Sequence, residues 1–529
     1  MLFRSACRLA TRMLGSRSTA VPTAFSVPLG LLLLICCVVT GCTSSKLHQT
    51  GLQAWRAGDV PTSSSRLQKA GNRFKSEKEL LLLDRSIVDL ANGEPQVAES
   101  RLRTARDRLE FLQQKSGIEQ TLSMLTDARA ISWSGREFEH AMLVNVAMLS
   151  SLVNDGQDAW AWSLQAMQTS QKRRQTLIAA ATSSAPEKSG QPDSKPDDTG
   201  RARLADTDST GVIQQASFQA SSPPRITAET LDQPLALSSY LTALVHSEKP
   251  SEVAETELAL QDVKLWNPGF STASAGKMTP MGVQCRKGHG TLHVIVLAGV
   301  APEWVSESCE PTSAALLIAD RILSAQSKHK LPPTLASVKI ARPALPSRSP
   351  DDLTPGAAIV GAGLGTERRQ LGFSTIVDLG QVANASYQRG RDKAIADAVV
   401  RRVVKKGIIF ATKAATNDED YNWKVDLAMS IIGVLWEALE KPDTRSWSTL
   451  PGAVRIAAEE LPVGEYNLDL WTRPLSERYP LHAQPVKLRI EDGRNTCVLL
   501  TVPGDRIRSA VLLGGADRNI LLPPQNDQN

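Results

Sequence analysis

The chain has 529 residues, of which 42% are hydrophobic, and a formal net charge of +5. This length and apolar content predict a globular protein with more than one domain. Four of the positive charges are Arg4, Arg8, Arg12 and Arg17, so the rest of the chain is nearly neutral. Proteins that bind nucleic acid need a concentrated basic face, and the sequence shows none, which argues against that class.

A short apolar run occupies residues 29–42 and reads LGLLLLICCVVTGC. It follows the four arginines without any acidic residue between, which is the charge pattern of a secretory signal peptide. The run is shorter than the ~20 apolar residues that span a bilayer. Its last four residues, Val-Thr-Gly-Cys, have the form of a bacterial lipobox. We therefore expect cleavage before Cys42 and fatty acylation (palmitate and related chains) of that cysteine.

Two alternatives to this interpretation remain open from the residues. Residues 1–18 are rich in Arg and Ser, as in an organellar transit peptide, and the apolar run could also be an uncleaved signal anchor. The lipobox interpretation places the protein in the bacterial cell envelope, anchored by lipid and facing the periplasm. Thr43 rather than an aspartate follows the cysteine, which favours the outer over the inner membrane.

Of the seven cysteines, only three lie beyond the predicted lipidation site: Cys285, Cys309 and Cys497. An exported protein folds where disulfides form, so we expect a Cys285–Cys309 bridge. Cys497 is expected to be a small buried hydrophobe in a strand.

A helical repeat begins near Gly51. A shift of 35 residues aligns the large residues Trp55 and Leu90, and it aligns the turn residues Gly58 and Gly93. The same shift aligns Leu52 with Ile87, Leu67 with Leu102 and Ala70 with Ala105. This is the layout of a tetratricopeptide-like (TPR-like) helix pair. We expect such pairs to stack into one curved array, because a lone pair cannot bury its apolar face.

The predicted fold class is α+β, with an N-terminal α-helical TPR-like solenoid followed by a mixed α+β domain with a C-terminal antiparallel β region. The predicted divisions are a signal peptide (1–41), a tether (42–50), TPR-like repeats (51–180), a disordered insert (181–224), a further helical pair (225–265), an α+β domain (283–440), a signature loop with the C-terminal β region (441–523) and a tail (524–529).

Two motifs near the C-terminus carry a resemblance to a known family. Residues 443–451 read DTRSWSTLP and residues 461–466 read LPVGEY. With these motifs the chain resembles a family of uncharacterised bacterial envelope lipoproteins, in which a TPR-like half precedes an α+β half. The chain departs from the family pattern at Lys441-Pro442 and in the insert 181–224. The resemblance implies an architecture and a compartment, but no activity and no cofactor.

Arg445 and Trp447, within the first motif, are the candidate ligand or partner contact. A Trp beside an Arg after a buried helix suits a stacked ligand or a cation–π contact. The alternative is that Trp447 fills a gap between the predicted helix 423–439 and the β region, while Arg445 holds Asp443 or a carbonyl.

No catalytic residue, metal site or cofactor is predicted. Cys285, His289, His293 and Cys309 are zinc-type ligands, but their spacing matches no standard zinc motif. The glycine-rich residues 361–365 lack the strand–turn–helix context of a nucleotide loop. A Gly-x-Ser-x-Gly elbow is also absent from the sequence.

The leading functional hypothesis is a membrane-anchored, non-enzymatic scaffold whose helical array holds another envelope protein or peptide on its concave surface. The alternative is an envelope enzyme or ligand-binding protein with a site at the junction of the two halves, near Trp447. A third interpretation, a structural subunit of a larger assembly, differs from the first only in permanence.

Overall fold

The computed structural model describes residues 42–71, 78–123, 133–183, 229–326, 337–346, 348–361, 367–415, 441–471, 485–504, 511–515 and 520–521. The predicted signal peptide, nearly all of the predicted insert, the predicted helix 423–439, the residues 362–365 and the tail lie outside these residues. Among the helices of the described part, none has the length and apolar character required to cross a bilayer.

The described part contains ten α-helices. Eight precede the first strand: α1 Cys42–Arg56, α2 Val60–Gly71, α3 Lys78–Ala91, α4 Pro95–Ser123, α5 Glu137–Leu152, α6 Ala159–Ser183, α7 Gln233–His246 and α8 Val253–Trp266. Two more, α9 Ser313–Gln326 and α10 Leu379–Ala415, lie between strands.

The first two helix pairs follow the 35-residue shift closely. The first helices end at Arg56 and Ala91, and the second helices begin at Val60 and Pro95. Gly58 and Gly93 both adopt positive φ, 73° and 83°, a backbone conformation that favours glycine in each turn. Every apolar residue that the shift aligns is buried. The sequence pattern therefore located these helices and their turns correctly.

Some boundaries differ from the sequence-based divisions. Helix α1 begins at Cys42, so the residues predicted as a tether, 42–50, are helical in the structure. Helix α6 continues to Ser183, into the first residues of the predicted insert.

Among the eight N-terminal helices, each one from α1 to α7 packs on the next along the chain, and α5 also packs on α7. The first helices of the later pairs are the most deeply covered: most residues of α3, α5 and α7 are buried. The second helices α4, α6 and α8 keep one side exposed.

The strands form three sheets. They are β1 His289–Ala298, β2 Glu303–Cys309, β3 Val338–Ala344, β4 Gly356–Gly361, β5 Arg369–Gln370, β6 Ser374–Asp378, β7 Ala453–Pro462, β8 Gly464–Trp471, β9 Val486–Ile490, β10 Asn495–Val502, β11 Val511–Gly514 and β12 Ile520–Leu521. The largest sheet has the order β12-β11-β10-β1-β7-β6, the second β5-β4-β8-β9, and the third is the pair β2-β3.

Alternate residues of β1 point into two different cores, as the period of two in a strand requires. Leu292, Val294 and Val296 join side chains of β4, β8 and β9 in a core between the two larger sheets. Ile295 and Leu297 join the helices in the other core. The six-stranded sheet is therefore the middle of three layers, with helices on one face and the four-stranded sheet on the other.

A smaller unit combines β2 and β3 with helices α9 and α10. Its separate apolar cluster includes Cys309, Val338, Ile340 and Val399. Pro343 lies within β3 and pairs with Trp304. A two-stranded sheet tolerates proline because both strands are edges.

The α+β class, with helices N-terminal and strands C-terminal, is confirmed, but the C-terminal β region is not a separate antiparallel unit. Strand β10 pairs in parallel with β1, about 200 residues earlier in the chain, with His293 opposite Cys497. Strands β2, β4, β5 and β12 were not predicted. Each is short or half-exposed, so its apolar periodicity is weak.

Gly282 lies where the end of α7 meets the six-stranded sheet, and a substitution there tests how closely the two are packed. Its φ is +56°, its N–H donates to Asn495 Oδ1 at 2.9 Å, and an added Cβ would lie 2.0 Å from the carbonyl oxygen of Ser247. We expect Gly282→Ala to lower the free energy of unfolding by more than about 3 kcal/mol, because the backbone must move.

Gly276→Ala is the matched control, since Gly276 also has positive φ (+72°) but nothing within 4 Å of the added Cβ. It should cost only about 1 kcal/mol. Urea unfolding measures both, and equal losses would contradict the steric account.

Candidate functional site

The segment 441–450, which carries the first motif of the resemblance, has no helix or strand and lies against helices α3 and α5. An irregular segment leaves its backbone N–H groups without partners in a helix or ladder, so other groups must accept from them. Two buried carboxylates, Asp84 on α3 and Glu139 on α5, do so.

Asp84 is fully buried and binds the segment at three points. Its Oδ1 accepts from the N–H of Ser448 at 2.9 Å and from the N–H of Thr449 at 3.2 Å. The Thr449 hydroxyl donates to the Asp84 carbonyl oxygen at 3.1 Å. The other carboxylate oxygen, Oδ2, lies 2.8 Å from Nε2 of His48 on α1. Asp84 thus joins the first helix of the array to the segment.

Glu139 binds the segment at Trp447. Its Oε1 accepts from the N–H of Trp447 at 2.9 Å, and its Oε2 accepts from the N–H of Arg136 at 2.6 Å. Burial raises the pKa of the Glu139 carboxyl and outweighs the opposing effects of Arg136 and the two N–H groups.

Arg136 adds a third connection. Its guanidinium donates to the carbonyl oxygen of Arg445 at 2.7 Å and lies 3.7 Å above the ring of Trp304 on β2. Burial lowers the pKa of Arg136, and the charges of Glu139 and Asp443 oppose that shift.

The two candidate contact residues, Arg445 and Trp447, lie in this contact between the segment and the helices. Trp447 is 1% exposed, and its Nε1 donates to the Thr449 hydroxyl at 3.1 Å. The Arg445 guanidinium donates to both carboxylate oxygens of Asp443 at 2.8 Å. The geometry therefore favours the interpretation in which Trp447 packs inside the fold and Arg445 holds Asp443, over the exposed ligand contact.

The expected Cys285–Cys309 bridge is not present, because both thiols are free. Cys285 Sγ lies 3.0 Å from the Thr291 hydroxyl beside the six-stranded sheet, whereas Cys309 is in the separate cluster of β2, β3, α9 and α10. Cys497 is buried in β10 as expected, and burial raises its pKa to about 12.

The structure also separates the zinc-type ligands weighed above. His293 is buried, its Nδ1 accepts from the Tyr240 hydroxyl at 2.7 Å, and burial lowers its pKa to about 4. Within the described ranges, no group of three or more His, Cys, Asp or Glu side chains could hold a metal ion.

Sequence reasoning missed a serine–histidine–glutamate arrangement between α6 and α7. Ser163 Oγ lies 3.0 Å from His246 Nε2, and His246 Nδ1 lies 2.6 Å from Glu252 Oε2. These are the distances of a hydrolase triad, but Ser163 is fully buried inside helix α6. Its hydroxyl also contacts the Trp160 carbonyl oxygen at 2.7 Å. A substrate carbonyl has no access to it, so the arrangement ties two helices together.

Two of the surface cavities formed by the described residues have the size of a ligand site. One, of about 440 Å³, lies where the α1–α2 turn meets the ends of β2 and β3, and its lining includes Arg56, Glu303, Leu345 and Arg348. The other, of about 380 Å³, is a groove between α6 and α8 with α7 as its floor. We call it the α6–α8 groove. Its lining includes Met167, Gln171, Gln175, Ile178, Thr242 and Leu258.

Comparison with known proteins identifies no relative. No family model matches the chain, and neither the curated proteins nor the solved structures contain a significant match.

Removing the Asp84 carboxylate should loosen the junction. We expect Asp84→Ala to lower the free energy of unfolding by about 3 kcal/mol, because the N–H groups of Ser448 and Thr449 lose their acceptor. Asp107→Ala is the control, since Asp107 forms an exposed ion pair with Arg106 that is worth at most about 1 kcal/mol. Urea unfolding of both variants measures the difference. Losses of the same size would contradict the role of Asp84 as the acceptor for the segment.

Glu139 should make stability depend on pH. Its pKa is raised above the ordinary 4.5, so its protonated form contributes stability that is complete below that value and is lost as the pH rises through the raised pKa. We therefore expect the stability of the native protein relative to Glu139→Gln to fall from pH 4 to pH 8. Glu110→Gln, at an exposed position, should show no comparable trend. A difference that grows with pH would mean that the N–H groups and Arg136 outweigh burial.

Proposed function

We propose that this protein is a membrane-anchored lipoprotein that acts as a non-enzymatic, protein-binding scaffold in the bacterial cell envelope. The observation that supports a binding role is the exposed apolar surface of the second helices. Trp160, Leu164, Ile178 and Leu258 are between 36% and 47% exposed on α6 and α8, on and beside the α6–α8 groove. Apolar side chains clustered around a groove are typical of protein-binding surfaces.

The binding surface differs from the one expected from the sequence. In the scaffold hypothesis the partner lies on the concave face of a TPR-like solenoid. The first helices α5 and α7, which would form that face, are covered by the six-stranded sheet and by Trp447. We therefore assign partner binding to the outer sides of α6 and α8.

The TPR-like solenoid itself is part of the proposal. Its support is the shared 35-residue register of the first two pairs, together with the sequential packing of α3 to α8. Stacked helix pairs commonly build extended binding surfaces, which is the role proposed for this array.

The lipid anchor is proposed from the lipobox at residues 39–42. Acyl chains on Cys42 would hold the chain on the membrane, outer in preference to inner, facing the periplasm. Each buried CH₂ contributes about 0.8 kcal/mol, so more than one chain gives firm anchoring. We propose another envelope protein or peptide as partner, and no cofactor or nucleic acid.

The cavity of about 440 Å³ favours the second candidate, a ligand-binding protein with its site at the junction of the two halves. The charged groups in its lining include Arg56 and Glu303, which form an ion pair. The rest of its lining is mainly apolar, with Val300, Leu345, Leu353 and Pro503. Because Arg56 and Glu303 are engaged with each other, neither is poised to bind a ligand, so we rank this function second.

Site-specific photocrosslinking in intact cells tests the scaffold. A photoreactive residue at position 160 or 258 should capture the same envelope protein, identified by mass spectrometry. The control is position 463, where Val463 is 47% exposed in the turn between β7 and β8. Leu258→Asp should weaken capture at position 160 by about 30-fold, the effect of losing an interface hot spot. No adduct at either position, or equal capture at 463, would contradict the proposed surface.

A further inference from the structure

The helices α1 and α3 begin at the same end of the array. His48 is the seventh residue of α1 and Asp84 the seventh of α3, and their side chains lie 2.8 Å apart. Helix α2 ends at this level too, because a Cβ added to Gly71 would lie 3.2 Å from Leu81 on the first turn of α3. We call this the anchor end, comprising the first two turns of α1, the last turn of α2 and the first turn of α3.

Three exposed lysines lie at the anchor end: Lys46 on α1, Lys69 in the last turn of α2 and Lys78 at the start of α3. With a rise of 1.5 Å per helical residue, all three lie within about 10 Å of the helix ends, which is about one Debye length at 0.1 M salt.

Glu79 is the carboxylate of the anchor end among the described residues, and it accepts from Arg108 Nε at 2.7 Å. Asp84, in the next turn of α3, is buried against His48 and the segment 441–450. The described residues of the anchor end therefore expose a net positive charge.

No tether separates this surface from the predicted lipidation site. Because α1 begins at Cys42 and is held at His48, acyl chains on Cys42 would bring the anchor end to the membrane surface. The structure would not hang from a flexible linker.

We propose that the anchor end is a binding surface for anionic lipid headgroups, contacted by Lys46, Lys69 and Lys78. This inference rests on the proposed acylation of Cys42 for its place beside the bilayer, and on the lysines for its chemistry. A basic residue near an anionic membrane strengthens binding by about fivefold, so a basic patch beside an acyl chain acts as a second anchoring signal.

The test is amine-reactive labelling of the protein purified from membranes and reconstituted into vesicles, read by mass spectrometry. In vesicles of phosphatidylcholine with phosphatidylglycerol, labelling of Lys46, Lys69 and Lys78 should be about fivefold slower or more than in detergent. Three exposed lysines outside the helix pairs, Lys277, Lys287 and Lys487, should be unaffected. Pure phosphatidylcholine vesicles, or 1 M salt, should abolish the protection.

A charge reversal supplies the matched variants. Lys69→Glu with Lys78→Glu should remove the protection of Lys46, whereas Lys277→Glu with Lys287→Glu should leave it intact. Equal labelling in detergent and in anionic vesicles, or equal protection by neutral vesicles, would overturn the headgroup contact.

The same spectra report whether the peptide that begins at Cys42 is acylated, which separates the two proposals. An acylated peptide with unprotected lysines overturns the headgroup contact alone. An unacylated peptide with protected lysines overturns the anchor alone, and failure of both readouts overturns both.

Discussion

The buried carboxylates of Asp84 and Glu139 join the two halves of this protein. A carboxylate taken out of water is costly unless hydrogen-bond donors surround it, and a segment without secondary structure has N–H groups to donate. The segment 441–450 and the helices α3 and α5 satisfy each other's polar groups in this way. These hydrogen bonds hold the segment that precedes β7 against the helices.

The six-stranded sheet imposes the second constraint, because both of its faces are apolar. The four-stranded sheet covers one face, and the first helices of the later pairs cover the other. The inner surface of the helical array is therefore buried against the chain's own sheet, and the outer sides of α6 and α8 stay exposed. This is why the proposed binding surface lies around Trp160 and Leu258 rather than in a concave groove.

Several polar groups with reactive chemistry are structural in this fold. The distances between Ser163, His246 and Glu252 are those of a catalytic triad, yet the Ser163 side chain on α6 is fully buried. His293 is held neutral between Tyr240 and Asn495, because burial lowers its pKa to about 4. Both groups connect elements that are far apart in sequence, since a buried polar side chain needs a partner wherever the fold supplies one. Distances alone therefore do not identify an active site, and access decides.

The sequence by itself determined the features that depend on neighbouring residues: the helix pairs, the turns at Gly58 and Gly93 and the α+β class. Local periodicity carries that information because a helix or strand must place its apolar residues on one face. Only the tertiary structure decided the rest. Asp84 meets Ser448 across 364 positions, β1 pairs in parallel with β10, and Cys285 and Cys309 lie in different units. Such contacts arise when separate elements pack, and no local pattern of residues specifies which distant partner a buried carboxylate, strand edge or thiol will meet.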